Sequence, residues 1–153
     1  MPRFARPGDQ YLSDAAKDPV AVGLGAIATG SGLGGAVMTL AQVVVSQLRS
    51  HLEAAAYQQA FSDPLFAGMI ASLGLAAFFG WRRSGPIENV WQRGVIAVLA
   101  AVGALIIGFL AALADRVLGL AGLILWGALA LSFGIAASRW ATRAAGAVPG
   151  GAA

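Results

Sequence analysis

Four long runs of the chain contain no charged residue, and short polar connectors separate them. A helix that crosses the hydrocarbon core of a bilayer needs about 20 apolar residues. All four runs meet this length, the second only just. None alternates between apolar and polar residues with a period of two, which disfavours a β-barrel. The pattern therefore predicts an all-α integral membrane protein with four spans, at about residues 20–45, 64–81, 94–114 and 117–138.

Prolines indicate where three of the helices begin. Asp-Pro pairs occur at 18–19 and 63–64, and the segment "SGPIEN" places Pro86 just before Glu88. Proline loses nothing at the first helical position, since the N–H there is unpaired anyway, and an acid nearby favours the positive end of the helix dipole. We predict helices over about 19–58, 64–82, 86–114 and 117–143.

The connectors predict how the spans follow one another. The amphipathic segment 46–62 should extend the first helix into water or lie along the membrane interface. Asp115 and Arg116 leave only a tight turn before the last span, which predicts an antiparallel hairpin. At its tip either a mutual or a lipid-facing ion pair would explain the two charges. We expect two such hairpins in a transmembrane domain of residues 19–143, between an N-terminal tail of residues 1–18 and a flexible tail of residues 144–153.

Basic residues predict the orientation of the chain. With four spans, the two tails and the second connector share one side of the membrane and hold eight of the ten Lys and Arg residues. Positive residues stay on the cytoplasmic side, and tryptophans prefer the headgroup level. We therefore expect both termini to be inside. The predicted interface anchors are Trp81, Arg82, Arg83, Trp91, Arg93 and Trp140.

Small residues are densest in "GLGAIATGSGLGG", residues 23–35. Gly30 and Gly34 are four residues apart, and Ser31 and Gly35 repeat that spacing. Small residues at this spacing let helix backbones approach closely. A phosphate-binding glycine loop would need a preceding strand and a lysine, which are missing here. We predict a helix-packing surface at Gly30, Ser31, Gly34 and Gly35; the alternative is a local helix break that lines an ion path.

Candidate groups for chemistry are few. The chain is 58% hydrophobic and 11% charged, has no Cys and has a single histidine, His51, which we interpret as a solvated surface residue. Ser and Thr in the first span are expected to bond their own backbone carbonyls. Trp126 lies near the middle of a span, where its indole N–H needs an acceptor; it is interpreted as a core anchor, with a lipid, quinone or pigment contact as the alternative. We expect no enzyme activity, cofactor or metal, and the net charge of +3 does not indicate nucleic-acid binding.

Spans, packing glycines and interface anchors without catalytic or transport groups favour a structural role. High Ala, Gly and Arg usage with one Lys indicates a bacterial genome. We expect a non-catalytic accessory subunit of a bacterial inner-membrane complex, such as a respiratory or photosynthetic one. Its partners would be the lipid bilayer and other membrane subunits or a second copy. The alternatives are a small pore or transporter, including a phage holin-like protein, and an assembly factor that acts through the second connector.

Overall fold

The structure, a computed structural model, describes the backbone of residues 19–51 and 54–146 and the side chains of residues 20–48 and 64–141. Within these residues the chain forms only helices, and all four are long and apolar enough to cross a membrane. The prediction of an all-α chain with four candidate spans is confirmed. The helices are α1 (Pro19–His51), α2 (Ala54–Arg83), α3 (Val90–Leu118) and α4 (Leu120–Gly146).

The first two helices share the segment that was expected to extend the first one. Pro19 is the first residue of α1, as predicted, and Asp18 lies outside the described residues. However, α1 ends at His51, and α2 begins at Ala54 and continues through Pro64. The prediction that Pro64 starts a helix is therefore wrong. Proline removes one backbone hydrogen bond, and the helix-prone residues before it are enough to continue the helix, as is common in membrane spans.

The third helix begins later than its proline suggested. Asn89 caps α3, and its side-chain oxygen accepts the N–H of Trp91 at 2.9 Å. Pro86 lies in the preceding turn, where the N–H of Ile87 donates to the carbonyl of Ser84 at 2.9 Å. This turn buries the Ile87 side chain, which is 6% exposed. The start predicted at Pro86 is wrong because Asn89 satisfies an N–H at the helix end that Pro86 has no side-chain oxygen to reach.

The last connection is a single residue. Gly119 has a φ of 60°, and its N–H donates to the carbonyl of Asp115 at 2.7 Å. A positive φ directly after a helix favours glycine, which has no Cβ to clash with the backbone. Asp115 and Arg116 therefore belong to the last turn of α3 and not to the connector, which corrects their predicted place at the hairpin tip. At its other end α4 reaches Gly146, three residues past the end predicted at 143.

Helix α1 lies at the centre of the molecule and contacts each of the other three helices, while α3 also contacts α2 and α4. Over the most apolar part of each helix, 56% of α1 is buried, against at most 28% of any other helix. Residues further along α1 contact residues earlier in α2 and in α4, so both of these helices are antiparallel to α1. Residues further along α1 also contact residues further along α3, which is parallel to α1. The pairs are Gly30 with Gly80 and Gly34 with Ser72 for α2, Gly30 with Ala100 and Gly34 with Ala104 for α3, and Gly25 with Ala141 and Thr39 with Gly127 for α4.

Candidate functional site: helix-packing core and basic interface

Gly30 lies where α1, α2 and α3 meet. A Cβ placed on it would collide with the backbone oxygen of Ala76 and would lie 2.8 Å from the Cβ of Ala100. The nearest groups on both sides belong to the backbone or to the first side-chain atom, so neither can rotate away. The separation of the three helices is therefore set by the missing side chain at this position.

Gly34 repeats this arrangement one turn later. A Cβ here would lie 2.7 Å from the Cβ of Ala76 and 2.9 Å from that of Ala104. The approach also permits a hydrogen bond, because the Ser72 hydroxyl donates to the carbonyl of Gly34 at 2.7 Å. Ser72 is fully buried, so this bond satisfies a polar group that has no access to water.

Ser31 and Gly35 face α3. The Ser31 hydroxyl donates to the carbonyl of Ala100 at 3.2 Å and lies against Gly103, where a Cβ would collide with it. A Cβ on Gly35 would collide with the side chain of Ile107. The structure thus places all four of the predicted packing residues at contacts with α2 or α3, within the molecule.

A second row of small residues, which the sequence patterns above did not indicate, joins α1 to α4. A Cβ on Gly32 would lie 2.6 Å from both the Cα and the N of Gly134, so two backbones meet directly. One end of the row has Gly25 against Ala141, and the other has Thr39 against Gly127. The sequence pattern that could have indicated this row is a spacing of seven between small residues in both helices. The residues are Gly25, Gly32 and Thr39 in α1 and Gly127, Gly134 and Ala141 in α4.

The polar side chains of α1 are mostly satisfied by backbone carbonyls. Thr29 donates to the carbonyl of Gly25 at 2.7 Å and Thr39 to that of Gly35 at 2.9 Å, each one turn back in its own helix. Gln42 reaches across to α3 and donates to the carbonyl of Gly108 at 2.8 Å. Its Oε1 is buried and has no hydrogen-bond partner within the described part of the chain.

Replacing Gln42 by Leu should stabilise the protein, by about 1 kcal/mol. The change removes one interhelical hydrogen bond, worth about 0.6 kcal/mol in a membrane protein. It also removes a buried acceptor without a partner, which costs about 1–3 kcal/mol. Reversible unfolding in mixed micelles, followed by circular dichroism, measures the difference. A clear loss of stability would mean that Oε1 has a partner, such as an internal water.

Trp126 has the acceptor that its indole N–H needs. Its Nε1 donates to the carbonyl of Ile107 at 3.0 Å, and this bond joins the second turn of α4 to α3. The contact agrees with the interpretation of Trp126 as a core anchor.

The predicted interface anchors form separate contacts at one end of the molecule. The Arg93 guanidinium lies 4.5 Å from the centre of the Trp81 ring, a cation–π arrangement, and also donates to the carbonyl of Trp81 at 3.4 Å. Arg83 donates to the Ser138 hydroxyl at 2.6 Å and so joins α2 to α4. Trp91 is 85% exposed.

The remaining two predicted anchors, Trp140 and Arg82, belong to the same end of the molecule. Trp140 packs beside Gly25, where a Cβ would lie 3.3 Å from its ring, and Arg82 is exposed. The side chains of His51 and Arg143, on which parts of the sequence interpretation rest, lie outside the described side chains.

An apolar groove lies between α2 and α4, with α1 as its floor. Its volume is about 530 Å³. Leu40 is 62% exposed in it, because α1 has no neighbouring helix on this side. The lining side chains include Leu33, Leu40 and Val43 of α1, Leu75 and Phe79 of α2, and Leu123, Ala128 and Leu131 of α4.

The described residues contain no group of three or more His, Asp or Glu side chains that could hold a metal ion. The polar residues that are buried as a whole among them are Ser or Thr, while Gln42 and Arg93 each bury one polar atom that has no hydrogen-bond partner there. The described residues form a closely packed α1 contact region, a basic end rich in tryptophan and an open apolar groove. No protein-family model, curated protein or solved structure matches the chain.

Proposed function

We propose that this chain is a non-catalytic structural or accessory subunit of a membrane-protein complex, located in the bacterial inner membrane. The observation that supports this most is the interior itself. Gly30, Gly32 and Gly34 bring three neighbouring helices to within contact of the α1 backbone, and little space is left where those helices meet these glycines. An interior filled in this way suits a protein that acts through its outer surfaces.

The buried polar groups also favour this role over the pore or transporter alternative. Charged residues inside spans mark most ion and proton pathways. Among the residues whose side chains the structure describes, the buried polar residues are Ser and Thr, and each that lies within a span bonds a helix carbonyl. The bonds of Ser31 and Ser72 join helices to one another, and those of Thr29 and Thr39 lie within α1. They would have to break for the same groups to bind a passing solute.

The proposal includes an orientation with two antiparallel hairpins and both termini inside. Trp81, Arg83 and Arg93 support it, since they lie at one end of the helices, where cytoplasmic arginines and headgroup-level tryptophans are expected. Reporter fusions at Met1, Ala56 and Ala153 test it. The reporter at Ala56 should be active in the opposite compartment from the other two. A shared compartment for all three would overturn the orientation.

Co-purification tests the role of the chain. A tagged copy, expressed at its native level and extracted in a mild detergent, should be recovered with other membrane proteins at a fixed ratio to it. The control is the same extraction after expression in a host that lacks the native partners, where the fixed ratio should disappear. Recovery as a clean monomer from native membranes at every detergent concentration would contradict the proposal.

The membrane potential of the expressing cells tests the pore alternative. Expression of a holin-like or pore-forming protein should abruptly collapse the membrane potential, which a voltage-sensitive dye reports. An accessory subunit should accumulate in the membrane without this effect. A collapse that follows expression would replace the proposed role with the alternative.

A further inference from the structure

We propose that the groove between α2 and α4 binds one acyl chain of an anionic phospholipid, whose phosphate lies against Arg83 and Arg82 at the groove's end. This inference goes beyond the structural role proposed above and does not depend on it.

The chemistry of the groove selects an apolar occupant. Its walls and floor are side chains of Leu, Val, Ile, Phe, Ala and Gly, with Thr39 as the exception. The Thr39 hydroxyl donates to the carbonyl of Gly35 in its own helix, so that donor is already used. The groove therefore offers hydrocarbon contact and no side-chain donor that would hold a polar molecule.

The length of the groove favours an acyl chain over a transmembrane helix. Its floor runs from Leu33 to Val43, which corresponds to a rise of about 15 Å along α1. This is about half of the 30 Å hydrocarbon core and so about the depth of one leaflet. A spanning helix would need a groove of about twice this length.

A hydrogen bond limits the groove at one end. Arg83 of α2 donates to Ser138 of α4 at 2.6 Å, across the gap in which the groove lies. Phe79, which lines the groove, is one helical turn from Arg83. A second copy or a partner helix that lay between α2 and α4 along the whole span would have to break this bond, whereas a lipid chain ends at this level with its headgroup.

Charge at this end decides which lipid fits. Arg83 uses one donor for Ser138, and the planar guanidinium group carries five, in a fork that matches phosphate oxygens. Arg82 is exposed and adjacent in the sequence. A basic residue near the surface favours an anionic headgroup by about fivefold. Along α2 the basic residues follow the apolar lining at Phe79 by about one helical turn, in the order in which a phospholipid places its acyl chain and its headgroup.

The test uses the full-length protein in nanodiscs with equal amounts of phosphatidylglycerol and phosphatidylcholine that carry identical acyl chains. Native mass spectrometry after release counts the lipids that stay bound. We expect one retained lipid per chain, with phosphatidylglycerol preferred by about fivefold or more. Equal retention of the two lipids, or no retained lipid, would overturn the proposal.

Two pairs of variants distinguish the contribution of the headgroup from that of the acyl chain to lipid binding. Arg83→Gln should remove most of the preference for phosphatidylglycerol. Arg116→Gln, at an exposed position on the opposite end, is the control and should keep it. Ala128→Phe should fill the groove and reduce retention of both lipids severalfold. Ala112→Phe makes the same change at an exposed position of α3 outside the groove and should have no effect.

A measurement on the unchanged protein guards against a variant that does not fold. Phosphatidylglycerol with a photoreactive group in its acyl chain should label the peptides that contain Phe79 and Leu131. Uniform labelling that includes the outer face of α3 at Phe109 to the same extent would show that the groove holds no particular lipid. Both measurements use the isolated chain, so a missing partner complex does not affect them.

Discussion

Replacing Gly30 by Ala is expected to lower the free energy of unfolding by about 1–3 kcal/mol, the usual penalty for an extra methyl group in a filled interior. The added Cβ would collide with the Ala76 carbonyl and lie 2.8 Å from the Ala100 Cβ. Since these are fixed atoms, α2 and α3 must both move away from α1. Gly34→Ala should have an effect of similar size, and the measurement is reversible unfolding in mixed micelles followed by circular dichroism.

Gly74→Ala is the matched control. It makes the same chemical change in α2, at a glycine where an added Cβ has no neighbour within 4 Å. Alanine is a better helix former than glycine by about 0.5–1 kcal/mol, so this variant should be neutral or slightly more stable. Equal losses at Gly30 and Gly74 would contradict the argument, because the effect would then come from the backbone and not from the contact.

Replacing Gly32 by Ala is expected to weaken the α1–α4 contact by a similar or larger amount, about 2–3 kcal/mol. The new Cβ would lie 2.6 Å from the Cα of Gly134 and 2.9 Å from the carbonyl oxygen of Ala130. All of these are backbone atoms, so relief requires a shift of the whole helix. That shift should also lengthen the bond from Trp126 to Ile107, which the emission of Trp126 reports in a variant without the other tryptophans.

Gly134→Ala completes a double-mutant cycle for this crossing. Its Cβ would lie 2.9 Å from the backbone N of Leu33, on the same contact as Gly32. Once one substitution has separated the helices, the second should add much less than its own single effect. Gly94→Ala in α3, where an added Cβ has no neighbour within 4 Å, serves as the control. Additive losses in the double variant would mean that the two glycines do not share one contact.

The number of helices was predictable from the sequence because long uncharged runs without alternation of period two have only the helical form open to them in lipid. Long uncharged runs in lipid must satisfy their own backbone groups, which leaves helices. Pro19 is likewise the first residue of its helix, as its position after Asp18 predicted. Pro64 resembled it in the sequence, but the preceding residues 54–63 are helical and the helix continues through it.

The residues at which α3 begins and ends could not be predicted from single residues of the sequence. Asn89 caps α3 instead of Pro86, since the turn before it buries Ile87 in contacts that only the folded bundle supplies. Gly119 ends α3 a few residues after Asp115, where the charges had suggested the turn. In both cases the choice depends on where the neighbouring helix lies, which the local sequence does not contain.

The site was predictable only where its residues are close in sequence. Gly30 and Gly34 attract notice because they are one turn apart. The contact between Gly32 and Gly134 was not predicted, because it depends on how two helices that are distant in sequence align. A spacing of seven residues between small residues is common in helices and does not by itself indicate a contact. The groove follows from an arrangement of three helices and has no local signal at all.

The central position of α1 has a consequence for biogenesis. In the order of the chain α1 is synthesised first, so its glycine rows reach the membrane before any of the helices that cover them. The row toward α4, which includes Gly32, waits longest, until the final helix has been inserted. During this interval the small-residue surface of α1 is accessible to chaperones, to the insertion machinery and to helices of other proteins. We therefore expect quality control to remove nascent chains that stop before α4.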